Sequence, residues 1–89
     1  MTKLSSKILS VNNRRTSIRM CCQEWKSLDD VSKLEKLHRN KIISLIESHK
    51  SDTLGLAYAT RLFMMLYYKK LSQRQKAQDI LSATLKELR

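Results

Sequence analysis

The chain holds one glycine, Gly55, and no proline in 89 residues. Antiparallel sandwiches and barrels spend these two residues on their many turns, so turn chemistry nearly rules out an all-β sandwich or barrel and favours helices. Helices joined by a few short connections remain. Charged residues make up 29% and hydrophobic residues 42%, a globular balance rather than a disordered one. A chain this short buries a modest core, which favours a partner or an unusually thorough use of its apolar side chains.

Eighteen basic residues face eight acidic ones, for a net charge of +10. Half of that excess lies in residues 1–20, where Lys3, Lys7, Arg14, Arg15 and Arg19 meet no acid. Such an excess speaks about partners: nucleic acid or another anionic surface. No apolar run approaches the length of a membrane span, and the N-terminus lacks the apolar stretch of a signal peptide. A reducing, intracellular setting is therefore expected. Adjacent Cys21 and Cys22 cannot bridge without strain, and His38 and His49 give no zinc spacing. No disulfide, metal or cofactor is expected.

Residues 1–13 are polar and weakly patterned, which predicts a flexible basic arm. In the stretch Arg14 to Met20, Thr16, Ile18 and Met20 alternate with Arg15, Ser17 and Arg19. Period two with β-branched residues predicts a short strand, apolar on one face and basic on the other. With no second strand read elsewhere, its partner is expected from another copy of the chain.

Helical spacing follows. Trp25, Leu28 and Val31 share a face in a helix over 22–36. Leu37-His38-Arg39 breaks it, and residues 40–49 form a second helix carrying Ile42, Ile43, Leu45 and Ile46. Ser51 or Asp52 is placed to cap a third helix over 53–70, apolar around most of its circumference. Ser72 and Gln75 have capping-box spacing for a fourth, with Ala77, Ile80, Leu81, Thr84 and Leu88 on one face. The last two helices are expected to pair as a hairpin and to complete the core of a dimer.

The run Arg14-Arg15-Thr16-Ser17-Ile18-Arg19-Met20, then Glu24-Trp25 and Leu28, then Leu37 and Asn40-Lys41-Ile42-Ile43, resembles the ribbon-helix-helix family of DNA-binding proteins. The apolar run Leu62 to Tyr68 is similar to a continuation found in one subgroup. The resemblance implies a mainly α fold: one short N-terminal strand pairing across a homodimer, then two helices, here with a C-terminal helical extension. The domains would be an arm at 1–13, a DNA-binding unit at 14–50 and the extension at 51–89. Three positions depart from the family pattern. Lys36 stands where glycine usually ends the first helix, so it takes a left-handed conformation or the helix ends differently. His38 stands where Ser or Thr usually opens the second helix. Cys21-Cys22 stands at a corner that usually carries proline.

The implied ribbon enters the major groove of double-stranded DNA, with Arg15, Ser17 and Arg19 reading base edges. Arg14, and Arg39, Asn40 and Lys41 at the start of the second helix, would contact phosphate. The chain lacks Gly-rich phosphate loops, a metalloprotease motif and a nucleophile elbow, so an enzyme is not expected. The leading expectation is a cytoplasmic, nucleoid-associated homodimeric repressor. The rival is an antitoxin-like or other interaction module whose C-terminal helices bind a protein partner.

Overall fold

The basic strand finds its partner within the same chain. In the computed structural model, which describes residues 4–73 and 77–89, β1 (Leu4–Val11) and β2 (Arg14–Cys21) form an antiparallel hairpin. Val11 pairs with Arg14 across a two-residue turn, and the ladder runs on to Leu4 opposite Cys21. Asn12 and Asn13 make the turn with φ of 51° and 66°. Two positive φ values define a type I′ turn, whose twist matches that of the strands it joins. Asparagine reaches this region more readily than other non-glycine residues.

The hairpin corrects two expectations. Most of the expected flexible arm is a strand, and the described residues hold two strands rather than one, so the ribbon is built without a second copy. The physical reason lies in alternation across the turn. Leu9 and Val11 turn inward and are buried, while Ser10 turns out. Burying those side chains and pairing the backbone orders a segment whose composition alone looks like a solvated tail.

Four helices follow among the described residues: α1 (Cys22–Glu35), α2 (Arg39–His49), α3 (Leu56–Ser72) and α4 (Ala77–Lys86). The N-terminus of α1 sits directly at the end of β2. There the Glu24 carboxylate accepts the Cys21 N–H at 2.9 Å, the return half of a capping box. Lys36 does adopt the left-handed conformation, at φ 57° and ψ 38°. Its N–H reaches Lys33 O at 3.3 Å and Leu37 N–H reaches Ser32 O at 3.1 Å, the paired bonds of a Schellman ending. His38 then takes over the capping of α2, its Nδ1 accepting the Asn40 N–H at 3.0 Å. An imidazole nitrogen thus supplies the acceptor that Ser or Thr would otherwise bring.

The third helix starts at Leu56, later than expected, because Ser51 is used in a turn. Leu54 N–H bonds Ser51 O at 3.1 Å, Thr53 N–H bonds Ser51 Oγ at 3.3 Å, and Gly55 occupies the N-cap. At the other end α3 runs through Ser72, whose hydroxyl donates back to Lys69 O at 2.7 Å. Of the expected capping box and apolar face beyond it, Gln75 and the Ala77 side chain lie outside the described residues.

One apolar cluster holds these elements together. The inner face of the ribbon gives Leu9, Val11, Ile18 and Met20; α1 gives Trp25, Leu28 and Val31; α2 gives Ile42, Ile43 and Ile46. From α3 come Ala59, Phe63, Met64 and Tyr67, and from the C-terminal segment Ile80, Leu85 and Leu88. The C-terminal helices therefore complete the chain's own core. Each Val, Leu, Ile, Phe or Met among them contributes about 1.5–3 kcal/mol by burial. Buried Thr60 and Thr84 donate their hydroxyls to Leu56 O and Ile80 O one helical turn back, leaving neither unsatisfied. Polar ties fix α3 in place: Tyr67 Oη donates to Glu35 at 2.6 Å, Tyr68 Oη to Ser27 O at 2.9 Å, and Lys70 pairs with Glu87. Burial and the Glu35 carboxylate push the Tyr67 phenol well above its usual range. The radius of gyration, 12.4 Å, is close to the roughly 12 Å expected of a compact chain of this length.

Candidate nucleic-acid interface

Strand alternation decides what the ribbon shows to solvent. With Leu9, Val11, Ile18 and Met20 turned inward, the opposite face carries Arg15, Ser17 and Arg19 from β2. The register sets Ser10 beside Arg15, Ile8 beside Ser17 and Ser6 beside Arg19. All six side chains are exposed. Two arginines therefore flank a serine on one open surface, four strand positions or roughly 13 Å apart. Neither arginine enters an ion pair among the described residues. The sequence-predicted readers come together as expected; the contribution of Ser6, Ile8 and Ser10 does not follow from reading β2 alone. The signal for it is the Asn12-Asn13 pair between two alternating runs.

The backbone of β2 has two edges. Residues flanking a two-residue hairpin turn exchange both of their hydrogen bonds, and alternate pairs repeat the pattern. Thr16 and Ile18 thus bond toward β1, while the N–H and C=O groups of Arg15, Ser17 and Arg19 face away. At the far end this outer edge is closed by side chains. Arg61 on α3 donates from Nη2 to Arg19 O at 3.1 Å and from Nε to Glu24 at 2.8 Å. Burial alone would raise the Glu24 carboxyl, but the Cys21 backbone and Arg61 outweigh it and hold the carboxyl below its ordinary value. Nearer the turn, a cleft of about 270 Å³ runs between Arg14, Arg15 and Thr16 of β2, Lys50 at the end of α2, and Gly55 and Leu56 at the start of α3.

The other predicted site residues divide. Arg14 is largely exposed and lies 3.6 Å from Glu47. Lys41 is exposed on the first turn of α2. Arg39 is engaged instead: it pairs with Asp29 at 3.2 Å, and its guanidinium lies 5.3 Å from the centre of the Trp25 ring. Lys7 from β1 approaches the same ring at 5.4 Å, and the indole N–H donates to Ser5 O at 3.0 Å. Trp25 thereby ties the start of α2 to β1. Beside it, Asn40 Oδ1 and Arg39 Nε are buried without a hydrogen-bond partner among the described residues.

A family model described as a ribbon-helix-helix domain matches residues 4–68. The chain belongs to the ribbon-helix-helix family. The match begins at the first residue of β1 and reaches into α3, so both strands of the hairpin and most of the third helix lie within the family's domain. Ribbon-helix-helix proteins are in general non-enzymatic DNA-binding transcription regulators that bind DNA as dimers. No curated protein and no solved structure matches this chain. No helix among the described residues is long and apolar enough to cross a membrane.

Proposed function

We propose that this ribbon-helix-helix protein is a sequence-specific, cytoplasmic DNA-binding repressor that lays the outer face of its hairpin in the major groove. The observation that carries the proposal is the pair Arg15 and Arg19, exposed without ion-pair partners on either side of Ser17. A two-stranded ribbon fits the width of the major groove. Arginine binds guanine O6 and N7 through two hydrogen bonds, and serine serves as donor or acceptor beside it. Ser6 and Ser10 on β1 add neutral hydrogen-bonding groups across the strand.

Phosphate contact falls to Arg14 at the turn and to the side chains of Asn40 and Lys41 at the start of α2. Arg39 supports them by holding Trp25 and Asp29. The net charge of +10 supplies the long-range attraction. Repression follows from occupancy of the operator, with no cofactor and no catalytic residue involved. The protein acts as a homodimer. Because each chain supplies a whole ribbon, pairing brings two ribbons to two sites on the duplex.

The rival, a module that captures a protein partner through the C-terminal helices, has less support, since α3 and α4 already fill the core of their own chain. The test is selection of random duplex fragments by the purified full chain. Enrichment of a short motif recurring twice at fixed spacing supports the proposal. Recovery without sequence preference, or no retention at moderate salt, contradicts it.

A further inference from the structure

The alternation that buries Leu9 and Val11 turns one branched apolar side chain of β1 outward. Ile8 is 66% exposed on the outer face of the hairpin, directly across from Ser17. That pair falls between two hydrogen-bonded pairs of the ladder, where opposed side chains stand closest. Ser6 and Ser10 lie two positions to either side along β1, opposite Arg19 and Arg15. Ile8 is thus the apolar centre of a patch made otherwise of two arginines and three serines, all of them exposed. Leu4, also exposed, lies opposite Cys21, beyond Arg19. The pleat keeps Ile8 out of the core, and a single isoleucine is too small a patch to hold a protein partner.

We propose that Ile8 reads the C5-methyl group of a thymine lying between the two bases that Arg15 and Arg19 contact. The inference rests on the DNA-binding reading above and adds a specificity-determining residue from β1 to the readers on β2. Chemistry selects the group. The floor of the major groove is lined with hydrogen-bond donors and acceptors, and the thymine methyl is the one apolar group that a base edge presents there. Arginine suits guanine, serine suits either kind of polar edge, and isoleucine suits the methyl. A cytosine amino group or a guanine oxygen set against Ile8 would lose water and gain no hydrogen bond. The residue therefore favours thymine by contact and disfavours other bases by desolvation. Its β-branched side chain has little rotamer freedom to lose, and the ladder on either side holds its backbone.

The experiment uses the full chain and the duplex motif enriched from random fragments amplified without modified bases, in which thymine carries the only C5-methyl. Each thymine is replaced in turn by uracil, which removes the methyl and keeps every hydrogen-bonding group. Affinities are measured for wild type, Ile8→Ala and Ile8→Val, with thermal melting to check that the fold is kept. Wild type is expected to lose about fourfold at one thymine between the arginine-contacted bases, the factor that corresponds to ~0.8 kcal/mol for one buried carbon group. Ile8→Ala is expected to lose little at that position, and Ile8→Val to keep most of the wild-type sensitivity. Replacing the flanking guanines should weaken all three proteins equally. A motif with no thymine there, a wild type indifferent to uracil at every position, or an Ile8→Ala variant as sensitive as wild type overturns the assignment and leaves the DNA-binding reading standing. Failure of that reading appears one step earlier, as fragments recovered without sequence preference, and takes the role of Ile8 with it.

Discussion

Arg61 bridges Glu24 and Arg19: its Nε meets the Glu24 carboxylate at 2.8 Å and its Nη2 meets the Arg19 carbonyl at 3.1 Å. One side chain thus joins α3 to the start of α1 and to the last arginine of the ribbon's outer face. Glu24 also holds the Cys21 N–H, so the corner between ribbon and first helix depends on an ionised carboxylate.

That dependence gives a pH signature. The folded-state value of the Glu24 carboxyl lies below the ordinary one of about 4.3. A group so depressed stabilises the fold above its unfolded value, and the contribution is lost as pH falls through the folded value. Urea midpoints measured downward from about pH 5 are expected to fall more steeply for wild type than for Glu24→Gln. Equal slopes would remove Glu24 from the account.

Lys36 carries a positive φ of 57° with a full side chain. Glycine meets no Cβ penalty there and leaves the Schellman bonds in place. Lys36→Gly is expected to raise stability by about 1 kcal/mol, seen as a higher midpoint at unchanged denaturant slope. A lower midpoint would contradict the assigned conformation.

Arg39 and Lys41 differ in what surrounds them. Arg39→Ala frees Trp25 and leaves Asp29 unpaired, so it is expected to lower the melting temperature. Lys41→Ala is expected to leave melting unchanged and to reduce the salt dependence of DNA binding by about one unit for every sequence. Identical behaviour of the two variants would mean that their different settings in the fold have no consequence.

Ending the chain after Ser51 removes Phe63, Met64, Tyr67, Ile80, Leu85 and Leu88 from one shared cluster. The remaining residues would expose the inner faces of α1 and α2. No cooperative thermal transition is expected from such a fragment. A truncation as stable as the full chain would show that the C-terminal helices are dispensable.

Much of this architecture is legible in local pattern. The alternation in β2 and the helical spacing of Trp25, Leu28 and Val31 each follow from one element's own side chains. β1 is harder, because Leu9 and Val11 turn inward while the equally apolar Ile8 turns outward, which blurs the alternation. Only the conformational tolerance of Asn12 and Asn13 announces the turn. The engagement of Arg39 is not legible at all: it depends on Trp25, fourteen positions earlier, and on Asp29, which only tertiary packing brings near. The role of His38 as a helix cap was hidden for a different reason, since histidine is an uncommon residue there.

The central claim is that the ribbon's outer face reads DNA sequence. The most direct measurement is the ratio of affinities for the selected motif and for unrelated duplex at one salt concentration, in wild type, Arg15→Ala and Arg19→Ala. Each arginine is expected to carry about 1–3 kcal/mol of discrimination, so either substitution should lower the ratio by roughly fivefold to more than a hundredfold. Binding to unrelated duplex should fall far less. A ratio left at the wild-type value by both substitutions would contradict the claim that this face is the reader.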